Sequence, residues 1–138
     1  MKHEVLTQQL IGIFYDVYNE LGHGFLESIY QKACTHALQQ AGLKFAQQFP
    51  INVSFRGVSL GEFRADLVVE SLVIVELKAV QVLESAHERQ LTNYLKTTQF
   101  EVGLLFNFGP KAQVRRLIFD NERKMARAAA AGSPLASV

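Results

Sequence analysis

Charged residues interrupt two strand-forming stretches of the chain, and three of them could do chemistry: Asp66, Glu76 and Lys78. Asp66 lies in RADLVVE, and Glu76 and Lys78 lie in VIVELKAV. Both stretches are rich in residues that favour β-strands. Glu70-Ser71 between them is typical of a tight turn, so the two stretches predict a hairpin. Since strands that are buried on both faces are almost wholly apolar, the three charges call for an explanation.

A metal site is one explanation for these charges. A turn centred near 70–72 places Asp66 roughly across from Glu76, with β-carbons ~4.5–5.5 Å apart. Two carboxylates at that distance repel each other unless a cation lies between them, and divalent cations bind hard oxygen ligands. Lys78 lies on the same face, one pleat further along. A half-solvated hairpin face, on which Lys78 simply offsets two acids, explains the same pattern without a metal.

The remaining positions of the hairpin are expected to form one apolar face in each arm. Side chains alternate along a strand, so every second residue shares a face. These faces are expected to pack on helices, and they comprise Phe63, Ala65, Leu67 and Val69 in the first arm and Val73, Val75, Leu77 and Ala79 in the second.

The rest of the chain predicts further helices and strands. Apolar spacing predicts helices over 4–21, 25–40 and 85–99. Strand composition predicts strands over 49–55, 59–69, 72–80, 101–108 and 113–119. Gly42 is expected just after the second helix, and Ser85 with Glu88 is expected to form a capping box at the third. The order α-α-β-β-β-α-β-β predicts an α/β fold in which helices flank a mixed sheet.

Length and composition predict one domain and a distinct C-terminal tail. The chain has 138 residues, 49% of them hydrophobic, which indicates a globular domain over 1–120. The tail over 121–138 is Ala-rich and basic, and it is expected to be helical at first and then to fray through AGSPLASV. Residues 1–110 carry 8 Lys/Arg against 11 Asp/Glu, a net charge of −3, whereas residues 111–138 carry 6 against 2, a net charge of +4. This basic excess is either a nucleic-acid footprint or a solvated surface.

The cysteine and histidine residues exclude an internal disulfide and argue against a zinc site. The single cysteine, Cys34, excludes an internal disulfide and fits a reducing compartment. No apolar run is long enough to span a membrane, and no signal peptide is evident, so a cytoplasmic protein without membrane contact is expected. His23, His36 and His87 lack metal-ligand spacing with one another or with Cys34, which argues against a zinc site.

An Asp in one hairpin arm, followed by Glu-x-Lys in the next, resembles the PD-(D/E)XK nuclease superfamily. GFLESIY also matches the signature of the GxxExxY family, a branch of that superfamily, at Gly24, Glu27 and Tyr30. The blocks RADLVVE, VIVELKAV, QLTNYLK and VGLLFNFG resemble that family in order, so the resemblance spans about residues 5–119. Ala65 stands where the superfamily's name has proline.

The resemblance implies a restriction-endonuclease-like core and a site for Mg²⁺ or Mn²⁺. Asp66, Glu76 and the carbonyl of Leu77 would hold the metal. Glu27, from the second helix, would bind the metal directly or through water. Lys78 would orient or activate the attacking water and offset charge on the phosphate.

Three further residues are candidates for supporting the site or contacting nucleic acid. Gln90 and Tyr94 match a QxxxY element of exonuclease-type branches, and one helical turn puts them on a shared face. Tyr30 and Tyr94 are equally candidates for core aromatics. Without the resemblance, Glu27 would be explained as the N3 residue of a helix that Gly24 caps.

The expected function is a metal-dependent nuclease that hydrolyses phosphodiester bonds in nucleic acid, with DNA as the first expectation. One alternative is a non-catalytic nucleic-acid-binding or accessory protein that keeps the nuclease fold. Another is a hydrolase of a small phosphorylated substrate, which would use the same residues. Dependence on a homodimer or on a protein partner is left open by the sequence.

Overall fold

The computed structural model describes residues 2–131, which fold into one five-stranded sheet with helices on both faces. The elements are α1 (Glu4–Leu21), α2 (Glu27–Gln40), β1 (Phe45–Phe55), β2 (Val58–Val69), β3 (Val73–Lys78), α3 (Ser85–Lys96), β4 (Val102–Phe108), β5 (Ala112–Ile118) and α4 (Asn121–Ala131). This order and the mixed sheet confirm the predicted α/β fold. None of these helices is long and apolar enough to cross a membrane.

The strands follow their chain order across the sheet. Neighbouring strands are antiparallel, except for β3 and β4, which are parallel. A parallel pair needs a crossover connection, and α3 supplies it. The β2–β3 connection is a tight turn over residues 70–72, in which the Leu72 N–H donates to the Val69 carbonyl at 3.0 Å. Glu70 and Ser71 have φ values of 53° and 55°, the left-handed conformation that is typical of tight hairpin turns.

The sheet separates two hydrophobic clusters. On one face α1 and α2 pack against the sheet through stacked aromatic rings. The ring centroids of Phe14 and Phe106 are 4.7 Å apart, and those of Tyr30 and Phe108 are 4.1 Å apart. On the other face α3 packs against the sheet. A β-carbon added to Gly103 would lie 2.9 Å from the side chain of Leu91 in α3, so glycine allows this helix to approach β4 closely. Strand β4 is therefore buried along its whole length.

The prediction of one apolar face on the first hairpin arm was wrong. Leu67 and Val69 pack in the α1–α2 cluster, whereas Ala65 packs in the α3 cluster. The change of face falls at Asp66, which lies opposite Gln48 of β1. Gln48 has a φ of 50°, and β1 changes face there too. Since both strands rotate at this point, their alternation is reversed beyond it.

Two helix starts differ from prediction. Leu26 is the N-cap of α2, which makes Glu27 its first helical residue rather than N3 behind Gly24. Glu84 replaces Ser85 as the N-cap of α3, because the capping box forms one residue earlier, with His87. Gly42 follows α2 with a φ of 71°, as predicted for the residue after a helix end.

The helix predicted at the start of the tail is present as α4, and it packs on the rest of the chain. The buried Lys124 donates hydrogen bonds from Nζ to the carbonyls of Thr98 at 2.7 Å and Phe100 at 2.6 Å. Burial lowers the pKa of this amine. The fraying predicted from residue 132 onward lies outside the described residues.

Candidate functional site

The β2–β3 hairpin opens at the two acidic residues. Its backbone pairing runs from Val69–Val73 to Leu67–Val75. At the next position, hydrogen bonds from backbone N–H groups to side-chain carboxylates replace the backbone pairing. The Asp66 N–H donates to Glu76 Oε2 at 2.8 Å, and the Leu77 N–H donates to Asp66 Oδ2 at 2.8 Å. The structure thus places Asp66 across from Glu76, with each carboxylate bound to the backbone of the opposite strand.

This carboxylate pair, Asp66 and Glu76, is partly shielded from water. Glu76 is only 5% exposed, and Asp66 is half-buried. Burial, followed by the negative charge of Asp66, raises the pKa of Glu76 to about 8. Without a cation the pair therefore holds one proton near neutral pH, because two adjacent carboxylates in a shielded site cannot both ionise freely.

The donor atoms of the pair suit a hard divalent cation. The other two oxygens, Asp66 Oδ1 and Glu76 Oε1, accept no backbone hydrogen bond in the described part of the chain. Mg²⁺ and Mn²⁺ favour carboxylate oxygens together with retained water. The chemistry of the two acids therefore fits such an ion.

A third acidic group does not join the pair. Among residues 2–131, no cluster of three or more His, Cys, Asp or Glu side chains is close enough together to hold a metal. Glu27 is exposed in the first turn of α2. One turn later, Gln31 Nε2 donates to the backbone carbonyl of Asp66 at 3.5 Å, so the helix face shared by Glu27 and Gln31 is directed towards β2. Sequence reasoning missed Gln31, although its spacing of four residues from Glu27 is a usable signal.

Lys78 ends β3, two residues after Glu76 and on the same face. It is half-buried, and its side chain forms no hydrogen bond or ion pair within the described residues. Its positive charge opposes the rise in the pKa of Glu76. An ammonium group in this position is available to a negatively charged ligand.

The family comparison agrees with this arrangement. The family model of the PD-(D/E)XK nuclease superfamily matches residues 4–117. The chain belongs to the PD-(D/E)XK nuclease superfamily. Comparisons with curated proteins and with solved structures gave no match. Members of this superfamily generally use divalent metal ions, which is the class of ion that suits the carboxylate pair.

A buried amide network holds the segment that follows the superfamily's Glu-x-Lys motif. The Val80 N–H donates to Asn107 Oδ1 at 2.9 Å, and Asn107 Nδ2 donates to the Val80 carbonyl at 3.0 Å. Gln113 Oε1 accepts from Asn107 Nδ2 at 3.0 Å and from the Leu83 N–H at 2.9 Å. Because Asn107 pairs with Val80 much as a strand backbone would, it extends the β3–β4 connection beyond Lys78. Sequence reasoning missed this network, for which the signal is an asparagine inside the otherwise apolar VGLLFNF.

Helix α3 brings one of its two QxxxY residues to the carboxylate pair. Tyr94 is only 6% exposed, and its pKa is raised first by burial and then by the negative charges of Glu76 and Asp66. Its hydroxyl is therefore within electrostatic reach of both acids. Gln90 is exposed and lines, together with Tyr94, a groove of about 430 Å³ beside α3.

Tyr30 of the GxxExxY signature has a structural role. Its hydroxyl donates to the Gly22 carbonyl at 2.6 Å and accepts from the Phe25 N–H at 3.2 Å. Both partners belong to the α1–α2 connection, where Gly24 has a φ of 107°. Tyr30 has no exposed surface and packs as a core aromatic, which was one of the two expectations for it; a role in supporting the site or contacting nucleic acid stays a prediction. It fixes the connection from which Glu27 begins.

Proposed function

We propose that this protein is a divalent-metal-dependent nuclease of the GxxExxY branch that hydrolyses phosphodiester bonds in nucleic acid. One observation carries the proposal: Asp66 and Glu76 lie side by side where the hairpin opens, with Lys78 two residues further on. Membership of the PD-(D/E)XK nuclease superfamily supports the same reaction class. DNA is the proposed nucleic acid, and a homodimer or a protein partner is compatible with the small domain.

Each site residue has a proposed role. Asp66, Glu76 and the carbonyl of Leu77 hold Mg²⁺ or Mn²⁺, and Glu27 binds the ion directly or through water. A bound divalent ion polarises a phosphoryl oxygen and lowers the pKa of a bound water. Glu76 must first release its proton, since only the ionised form is an effective ligand. Lys78 orients the attacking water and offsets negative charge on the phosphate.

The α3 residues support the reaction. Tyr94 lies within reach of the charges of both acids, and we propose that it positions the carboxylate pair or the scissile phosphate. Gln90, one helical turn earlier and exposed, contacts the nucleic-acid backbone. Their shared helix face makes the two contributions compatible.

Metal-dependent cleavage is the direct test. Purified protein is expected to cleave at least one of a single-stranded, a double-stranded and a branched substrate with Mg²⁺ or Mn²⁺, whereas Ca²⁺ supports binding with poor cleavage. Lys78→Met is expected to lower the cleavage rate by about 10²–10⁴-fold, the usual contribution of a group that assists proton transfer. Lys32→Met, at an exposed position of α2, is the matched control and should cleave normally.

An accessory role is the second candidate. The observation that favours it is the lack of a third acidic group beside the carboxylate pair among residues 2–131. Such a protein would bind nucleic acid and cleave none of the three substrates with any of these metals. That outcome would replace the nuclease proposal.

A further inference from the structure

We propose that the groove between α3 and the β1–β2 hairpin binds an unpaired nucleobase, so that single-stranded or locally opened nucleic acid is the preferred substrate. The inference rests on the proposed function, because it assigns a substrate class to the same site. Four properties of the groove carry it: its size, its position, its open aromatic ring and its charge.

The groove has the dimensions of a ligand site. Its volume is about 430 Å³, within the range of roughly 300–1,000 Å³ that is usual for small-molecule sites. Both aromatic and polar side chains line it, including Phe63, Arg89, Gln90, Asn93, Tyr94 and Lys96. A nucleobase has matching chemistry, with an apolar face and a polar edge.

The groove lies beside the carboxylate pair. Phe63 precedes Asp66 by three residues on β2, a distance of about 10 Å along an extended strand. Tyr94 lines the groove and also experiences the charges of both acids. A strand whose phosphate sits at the carboxylate pair would therefore place a base one or two nucleotides away in the groove.

Phe63 offers an open face for stacking. Its side chain is 47% exposed, and its ring centroid lies 5.7 Å from that of Tyr94 at an angle of 42°. This tilted contact leaves much of the ring uncovered. Bases stack on exposed aromatic rings with little regard to sequence, since every base has a π face. The side-chain amide of Asn93, which also lines the groove, can donate to and accept from a base edge.

The charge of the groove suits a phosphate backbone. No acidic residue is among its described lining. Two nearby acids are paired with cations, Glu62 with Arg64 at 3.1 Å and Glu88 with Arg115 at 3.7 Å. The exposed side chain of Arg89 forms no hydrogen bond or ion pair within residues 2–131, so its charge is available to phosphates.

A base that is stacked in an intact duplex cannot enter the groove. In a duplex, neighbouring bases cover both faces of each base, and only the edges are accessible in the grooves. A base must leave the stack before it can lie against Phe63, and this costs least where the strand is already unpaired. The structure therefore favours single strands, loops or ends over an intact duplex.

Binding measurements on matched variants test the inference. The probes are a fluorescein-labelled single strand of roughly 12 nucleotides, within the usual site size for single-strand binding, and a blunt duplex of the same sequence, both with Ca²⁺. Phe63→Ala is expected to weaken single-strand binding about ten-fold, the usual loss for one stacked base. Phe63→Tyr keeps the ring and should restore binding. Phe55→Ala is the control, because Phe55 is 56% exposed on the same hairpin and does not line the groove.

A spectroscopic readout separates stacking from a general loss of structure. A 2-aminopurine base placed near the scissile position should change its emission on binding to the wild type and to Phe63→Tyr, but not to Phe63→Ala. Tighter binding of the duplex, or equal losses for Phe63→Ala and Phe55→Ala, would overturn the inference.

Cleavage assays with Mn²⁺ distinguish this inference from the proposed function. If the protein cleaves and Phe63→Ala binds and cleaves normally, the groove is not a base site, while the nuclease proposal stands. If binding depends on Phe63 and no substrate is cleaved, the groove is a base site, and the nuclease proposal is wrong. If neither probe is bound, the groove inference fails, and the cleavage panel, which includes the branched substrate, decides the proposed function by itself.

Discussion

At the scale of single residues, the carboxylate pair combines two opposing effects. Each acid accepts a backbone N–H from the opposite strand, at 2.8 Å in both cases, which stabilises the opened hairpin. Burial and then the negative charge of Asp66 raise the pKa of Glu76, so ionising both acids at once costs free energy. Substitutions that keep the acceptor atom but remove the charge separate the two effects.

Asp66→Asn is expected to leave the metal-free protein as stable as the wild type, or slightly more stable. The amide oxygen can still accept from the Leu77 N–H, and at a pH above 8, where both acids are ionised, a repulsion of about 1 kcal/mol is relieved. The wild type should gain stability with Mn²⁺, because a ligand that binds only the folded state stabilises it. The variant should lose most of that gain. Thermal melts in EDTA and in Mn²⁺ measure both effects.

The control for this experiment is Asp16→Asn, at an exposed position of α1, which should respond to Mn²⁺ like the wild type. If Asp66→Asn lowers the melting temperature in EDTA by several degrees and keeps the Mn²⁺ response, Asp66 is a structural carboxylate. The proposed metal site would then be wrong.

The raised pKa of Glu76 predicts a pH-dependent stability. This group titrates at about 8 in the folded protein and near ~4.3 in an unfolded chain, so the folded state binds the proton more tightly between these values. Its contribution is fully present below the unfolded pKa and is lost as pH rises through 8. In EDTA, the free energy of unfolding should fall by on the order of 2–4 kcal/mol over this window.

Urea unfolding at a series of pH values, with Glu76→Gln as the comparison, measures this dependence. The variant cannot titrate at that position, so its stability should vary less across the same window. Equal slopes for the two proteins would show that Glu76 is not the titrating group.

At the scale of elements, the connection between β3 and α3 depends on side chains from β4 and β5. Asn107 and Gln113 hold Val80 and Leu83, and so set how the chain passes from Lys78 to the helix that carries Tyr94. A β-carbon on Gly109 would lie 2.3 Å from the Val80 carbonyl. The close approach of these segments therefore requires glycine there.

Asn107→Leu is expected to destabilise the protein by about 2–4 kcal/mol, because it leaves buried polar groups of Val80 without partners. The loss should be measurable by urea unfolding. Amide hydrogen exchange should quicken at Val80 and Leu83 in particular. Asn19→Leu, at an exposed position of α1, is the control and should alter neither. Unchanged exchange in the Asn107 variant would show that the network does not order this segment.

At the scale of the whole molecule, the basic C-terminal region is only partly a free surface. Lys124 is buried against two carbonyls, and the guanidinium of Arg123 lies 4.5 Å from the ring centroid of Phe119. Arg115 faces Glu88 at 3.7 Å, and Arg116 donates to the backbone carbonyl of Lys2. The expectation that these four cations bind phosphates stays a prediction. The structure shows that each of them already contacts another group of the protein.

Neutralising Lys124 separately from Arg115 and Arg123 separates the effect on folding from the effect on binding. Lys124→Met should lower stability by about 1.5–3 kcal/mol, the usual contribution of hydrogen bonds from a charged donor, and leave the salt dependence of nucleic-acid binding unchanged. The double variant Arg115→Gln with Arg123→Gln should bind nucleic acid more weakly and with a flatter salt dependence. Fewer phosphates are then neutralised, so binding releases fewer counterions. Binding measured across a salt series decides this. An unchanged slope would assign both arginines to a solvated surface.

The sequence by itself determined the order of the elements and the pairing of Asp66 with Glu76. Both follow from local rules: helices and strands have distinct periods, and a tight turn at Glu70-Ser71 fixes which residues of a hairpin face each other. The ordered motifs also indicated the nuclease superfamily. These features need only neighbouring residues, which is why they could be predicted.

Only the tertiary structure decided how the site is enclosed. The rotation at Asp66 depends on Gln48 in another strand, and the burial of Glu76 depends on the crossover that places α3 over the sheet. The Asn107 network joins segments 27 residues apart, and the groove at Phe63 forms only when α3 packs beside β2. Periodicity shows which side chains of an element face the core, but not which distant segment packs against them. The burial and pKa of Glu76 and the shape of the groove could therefore be known only from the folded chain.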